Sequence, residues 1–204
     1  MEFRITGLSK TIGNKKILDG LNLLLKSGDV MALKGNNGSG KTSLLKIIAG
    51  IDKDFDGKIE IDKDLNIGYV PQDIVLFEQL SVKDNLQAFC NGKNAKTNYK
   101  RLESYAKELG INDLFKKKAG RLSGGQKRLV NFLVGLANSP DLMLFDEIIV
   151  GMDEDTITKV IQLINSIKSD KIIIITSHQT EFTKAVCNIS GKLTGGKLEF
   201  SYEG

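Results

Sequence analysis

Chemistry-bearing side chains are scarce in this chain, which holds two cysteines and one histidine. Cys90 and Cys187 lie far apart, without the spacing of metal ligands. That excludes a thiolate metal module and fits a reducing compartment in which both are inert, partly buried thiols. Long apolar runs are also missing. The longest, Leu142 to Phe145 and Ile172 to Ile175, fall far short of the ~20 residues of a membrane-spanning helix. The first residues lack the apolar stretch of a signal peptide. The expectation is a cytoplasmic chain that reaches a membrane only through a partner. No stretch reads as a linker, a low-complexity tail or an internal repeat.

What is present suits one compact domain spanning residues 1–204, with 41% hydrophobic residues to build its core. The net charge of +4 comes from scattered lysines. The short clusters Lys15-Lys16 and Lys116-Lys117-Lys118 read as solvated faces, so no nucleic-acid partner is expected. Glycine is in excess, 21 of 204 residues against a usual share of roughly 7%.

Three of those glycines sit in Gly35-Asn36-Asn37-Gly38-Ser39-Gly40-Lys41-Thr42, a complete phosphate-binding loop. Gly35, Gly38 and Gly40 can take positive φ, which lets successive backbone N–H groups turn inward around a β-phosphate. Lys41 brings an ammonium to the β- and γ-phosphates, and the Thr42 hydroxyl is a ligand for Mg²⁺. Upstream, Asp29 to Leu33 is a short apolar run of the kind a buried parallel strand shows. Downstream, Ser43 leads into Leu44, Leu45, Ile47 and Ile48, the start of a helix whose positive end would face the phosphates. Strand, loop and helix follow in the required order, which points to binding and hydrolysis of a nucleoside triphosphate.

The rest of the chain reads as alternating strands and helices. Phe3 to Thr6, Ile17 to Leu25 and Gly57 to Asp62 are expected to form a small antiparallel sheet. Ser81 to Phe89 and Tyr99 to Leu109 read as helices of a lobe covering about residues 80–138, the first opened by Ser81 with Asp84 three residues on. Another helix starts at Ser123 and is stopped by Asn138-Ser139-Pro140, with Leu129, Phe132, Leu133 and Leu136 as its buried stripe. A last one runs from Asp153 to about Lys168. Strands at Leu142 to Asp146 and Lys171 to Thr176 alternate with these helices, giving an α/β class.

Leu122-Ser123-Gly124-Gly125-Gln126 matches, without substitution, the signature string of the ABC (ATP-binding cassette) ATPases, and nearly the whole chain resembles that family's nucleotide-binding domain. The resemblance implies a P-loop NTPase core, a mostly parallel sheet with flanking helices, plus an N-terminal antiparallel β-subdomain and a small α-helical subdomain. The stretch between Lys41 and Ser123 leaves room for that lobe and none for a long coiled-coil arm.

Other motifs follow in order. Tyr69-Val70-Pro71-Gln72 resembles the Q-loop, whose Gln72 would reach toward Mg²⁺ and the attacking water and sense the transport partner. Leu142 to Glu147 resembles the Walker B strand, Asp146 holding Mg²⁺ through its water shell and Glu147 acting as general base. Gly151-Met152-Asp153 resembles the D-loop, and Asp153 is equally a natural N-cap. His178 occupies the switch position, from which it would hydrogen-bond the γ-phosphate.

In such ATPases the signature residues Ser123, Gly124, Gly125 and Gln126 finish the site of a second subunit, so a head-to-tail homodimer, or a heterodimer with a similar subunit, is implied. ATP and Mg²⁺ are the expected cofactors. The resemblance implies an ATP-hydrolysing subunit of an ABC transporter that powers translocation through a separate integral membrane subunit. The run Leu76 to Leu86 resembles exporter-type systems. The alternative is a soluble ABC ATPase acting as a switch in translation, Fe–S assembly or repair. Two departures stand out. Ile12 occupies the position where the family stacks an aromatic ring on adenine, and Ile148-Ile149-Val150 replaces a proline and small polar residues after Glu147. Those three apolar side chains are expected at the dimer seam or against a partner.

Overall fold

The computed structural model describes residues 1–61 and 65–202. Asp62, expected at the end of a strand, lies outside them. Apolar alternation builds a first sheet from β1 (Glu2–Ile12), β2 (Lys15–Lys26) and β4 (Asp56–Ile61) in the order β2-β1-β4, all antiparallel. Phe3, Ile5 and Leu8 of β1 and Leu21, Leu23 and Leu25 of β2 point to one buried face. The β1–β2 pairing runs on to Ile12 and Lys15, beyond the expected ends, across a two-residue Gly13-Asn14 turn.

The second sheet comprises β3 (Val30–Lys34), β5 (Ile67–Val70), β6 (Leu142–Asp146), β7 (Ile172–Thr176), β8 (Ile189–Thr194) and β9 (Lys197–Tyr202), in the order β5-β6-β7-β3-β8-β9. All neighbours are parallel except β9, which runs antiparallel to β8 on the edge. Its central strands are buried on both faces, and this is why they read as unbroken apolar runs. Leu142, Leu144, Ile172 and Ile174 face a layer containing α1 (Lys41–Ile48) and the first sheet. Met143, Phe145, Ile173 and Ile175 face the opposite layer, where α4 (Gly124–Gly135) and α5 (Glu154–Ile167) lie. The expected α/β class with an N-terminal antiparallel sheet is the one observed.

The helical lobe adds α2 (Val82–Phe89) and α3 (Ala95–Glu108), the latter starting earlier than expected. Ser81 caps α2 by accepting the Asp84 N–H, as its sequence position indicates. Two buried asparagines tie the lobe to the segment after Gln72. Asn85 accepts the Phe77 N–H at 2.8 Å and donates to the carbonyls of Phe77 and Ser81 at 3.1 and 3.0 Å. Asn131 accepts the Val75 N–H at 3.0 Å.

Helix α4 ends at Gly135, short of Asn138. The helix packs so tightly on β5 that a Cβ at position 135 would lie 2.0 Å from Val70 Cγ2. Asn138 and Ser139 then turn the chain at φ of 60° and 54°. The segments β8, β9 and α6 (Thr180–Val186) have no counterpart among the sequence expectations.

The sheet–helix core is testable at Phe132, which is fully buried with its ring edge-on to Phe145, centroids 5.3 Å apart. Phe132→Ala is expected to cost ~3–5 kcal/mol in urea unfolding. A loss below ~1 kcal/mol would contradict this packing.

Candidate functional site

Parallel strands deliver their following loops to one edge, and here β3, β6 and β7 bring the phosphate loop, the paired carboxylates and His178 to a common crevice. The cavity measures about 630 Å³. Its polar lining comprises Asn37, Gly38, Gly40, Lys41, Thr42 and Ser43 from the loop and α1, together with Gln72, Asp146, Glu147 and His178. Its apolar wall is Ile12, Ile17 and Val150. Ile12 is 55% exposed, so it offers a flat aliphatic surface and no ring.

Gly40 shows why the loop needs glycine. It caps α1 at φ 102°, and a Cβ there would sit 2.8 Å from Ile17 Cγ2. Lys41 folds back over the loop, donating to the carbonyls of Gly35 and Asn36 at 2.8 and 3.2 Å. Gly35 and Lys41 also line a smaller adjoining cavity of about 180 Å³ together with Ser177 and His178. The Ser39 hydroxyl is buried without a hydrogen-bond partner, and Asn36 contributes through its backbone.

Asp146 is 1% exposed yet fully engaged. Its two oxygens accept hydrogen bonds from Thr42 Oγ1 at 2.8 Å and Thr176 Oγ1 at 2.6 Å. Among the described residues no group of three or more His, Cys, Asp or Glu is placed to hold a metal. The hydroxyl–carboxylate pair fits an ion that keeps most of its water and takes further ligands from phosphate, which is the habit of Mg²⁺.

Glu147 follows in the left-handed region at φ 53°, unusual for a side-chain-bearing residue. Its N–H donates to the carbonyl and hydroxyl of Thr176 at 3.2 and 3.1 Å. Its carboxylate Oε1 lies 3.4 Å from His178 Nε2, while Oε2 is buried with no hydrogen-bond partner. The carboxylate as a whole contributes to the cavity wall beside His178. Tyr69, on β5, has its hydroxyl pushed up by burial and by the nearby Asp146 charge, which keeps it neutral.

The signature residues lie elsewhere. Ser123, Gly124, Gly125 and Gln126, with Asp153, line a separate cavity of about 840 Å³. Ser123 caps α4 and exchanges hydrogen bonds with Gln126 in a capping box, at 3.3 and 3.1 Å. Gly125 is required by the D-loop, since a Cβ would lie 2.6 Å from the Gly151 carbonyl oxygen. Asp153 caps α5 by accepting the Thr156 N–H at 2.8 Å, and this bond holds its carboxyl below the usual range.

Among the described residues, Val150 is the one that lines both cavities. The expectation that three apolar residues after Glu147 reach the seam needs correcting. Ile148 and Ile149 are 1% and 0% exposed and pack into the core, because the sheet–helix interior has room for both; Val150 alone, 48% exposed, faces outward. Sequence reasoning also passed over Ile17, whose place opposite Gly40 depends on the hairpin fold, and Arg128, whose Nη1 donates to the carbonyls of Gln72 and Glu147 at 2.9 and 3.2 Å. A basic residue near the signature is unremarkable in sequence; its bonds exist only once α4 lies against the carboxyl ends of β5 and β6.

Comparison with known proteins agrees with this geometry. The family described as ABC transporter matches residues 18–150. A zinc import ATP-binding protein, ZnuC, of a Wolbachia from Brugia malayi is 31% identical over 180 residues, covering 86% of this chain and 72% of its own. The lipopolysaccharide export system ATP-binding protein LptB of Escherichia coli K12 is 30% identical over 207 residues, covering 94% and 86%. A bacterial ABC transporter cassette solved in dimeric form superposes with a TM-score of 0.87 at 23% identity, covering 99% of each chain, which bears on the fold. The chain belongs to the ABC transporter family, as one of its ATP-binding, ATP-hydrolysing subunits.

Proposed function

We propose that residues 1–204 act as a single ATP-binding domain that closes with a second such subunit around ATP, and that this closure drives a separate membrane subunit. The supporting observation is the division of the motifs between two cavities that, among the described residues, share only Val150. Lys41 lines one of these cavities and Ser123 the other. Two copies, or this chain and a similar one, placed head to tail would supply both halves of each site.

The roles follow from the chemistry. Backbone N–H groups of residues 35–43 and the Lys41 ammonium cradle the β- and γ-phosphates, and the positive end of α1 adds to their field. Thr42, Gln72 and Asp146 would hold Mg²⁺, which when bound neutralises phosphate charge. The Glu147 carboxylate, in the wall of the cavity beside His178, takes a proton from the attacking water, and His178 donates toward the γ-phosphate. Ser123 and Gly125 donate to the γ-phosphate of the opposing subunit, with Gly124, Gln126 and Asp153 shaping that wall.

None of the helices among the described residues is long and apolar enough to cross a membrane. Attachment to the cytoplasmic face would therefore come through the membrane subunit, which meets the chain near Gln72 and the helical lobe. The exporter-like run from Leu76 to Leu86 supports export, whereas the similarity to an import protein at 31% identity matches that to an export protein at 30%. We therefore assign the direction of transport to the membrane subunit. Both similar proteins carry transport names, which favours transport over a soluble switch.

ATP hydrolysis by wild type, Lys41→Ala and Glu147→Gln tests this reading. Glu147→Gln should retain ATP binding and lose turnover by ~100-fold or more, while Lys41→Ala should lose binding. Wild-type turnover in Glu147→Gln would remove Glu147 as the base. A ring at position 12 should add stacking on the base, ~0.5–1.5 kcal/mol. Ile12→Tyr is accordingly expected to tighten labelled-ATP binding about two- to tenfold, and unchanged affinity would place the base away from Ile12.

A further inference from the structure

We infer that Arg128 is a positioning residue for hydrolysis, acting through the backbone of Gln72 and Glu147; this rests on the roles proposed for those two residues. One nitrogen, Nη1, donates to the Gln72 carbonyl at 2.9 Å and to the Glu147 carbonyl at 3.2 Å. These carbonyls belong to the residue that would orient the attacking water and the residue that would take its proton. They follow different strands, β5 and β6. The guanidinium is the side-chain group that joins them, and a planar, permanently charged donor suits the task.

Glu147 needs such a clamp. Its backbone sits at φ 53°, a conformation that persists only where surrounding bonds over-determine it. Thr176 holds its N–H from one side with two acceptors. Arg128 holds its carbonyl from the other. With both ends fixed, the Glu147 side chain stays in the cavity wall with Oε1 beside His178.

The clamp is carried on the signature helix. Arg128 lies little more than one turn after Ser123 on α4. It lines the signature cavity and is absent from the lining of the cavity that holds Lys41. When a partner's nucleotide engages the first turn of α4, the same rigid helix moves the group that holds Gln72 and Glu147. Each subunit's catalytic geometry thereby depends on the occupancy of the opposing site, while its own nucleotide binding does not depend on Arg128.

The test compares Arg128→Met and Arg128→Lys with wild type, with kcat and KM, labelled-ATP affinity, and amide exchange of residues 146–150 as readouts. Arg128→Met is expected to lower kcat about 10- to 100-fold, to leave ATP affinity within about twofold, and to speed exchange at 146–150. Arg128→Lys, whose ammonium can serve both carbonyls, should recover part of the rate. An unchanged kcat in Arg128→Met overturns the inference, as does an ATP affinity that falls in step with kcat. Loss of ATP-dependent dimerisation in the Arg128→Met, Glu147→Gln double variant would assign Arg128 to the partner's nucleotide and overturn it equally. Glu147→Gln run in parallel separates the causes: an inactive Glu147→Gln beside an active Arg128→Met rejects only this inference, whereas an active Glu147→Gln rejects the assignment of the base.

Discussion

A carboxylate withdrawn from water survives as an anion only when its oxygens are hydrogen-bonded, and Asp146 meets that condition with two hydroxyls from two other elements. Thr42 arrives on α1 and Thr176 on β7, so one buried carboxylate ties the phosphate loop, the strand before Glu147 and the strand before His178 into a single unit. Remove it and three loops lose their common reference. The parallel register, with Asp146 opposite Thr176, is what permits the contact.

From that anchor the neighbouring residue inherits its strain and its use. Directly after the pinned Asp146, Glu147 must leave the strand sharply and takes the left-handed conformation. This turns the side chain into the cavity beside His178 and leaves one oxygen buried without a partner. The phosphate loop and the first turn of the signature helix line different cavities of the chain.

Much of this was legible in the sequence because local chemistry and spacing coincide there. The phosphate loop needs Gly40 for its conformation, Ser123 and Asp153 sit where N-caps must sit, and the strands β6 and β7 are apolar because both their faces are covered. What stayed hidden depends on tertiary placement. Strand β5 is four residues long and includes Gly68, which packs too closely on Gly135 and Pro140 to carry a side chain, so it lacks a strand's usual pattern. Strands β8 and β9 are broken in sequence by Gly191 and a Gly195-Gly196 turn. Ile148 and Ile149 look exposed after two carboxylates at a strand end and prove to be core. Arg128 carries no signal at all until α4 meets the two strand ends.

The central claim is that one triphosphate is held between Lys41 of one chain and Ser123 of another. Light scattering of the Glu147→Gln protein with and without MgATP tests it most directly. The account predicts a monomer without nucleotide and twice that mass with it, reversed when Ser123→Arg is added to block the signature wall. A mass that stays monomeric with MgATP at high protein concentration, while nucleotide is demonstrably bound, would contradict it.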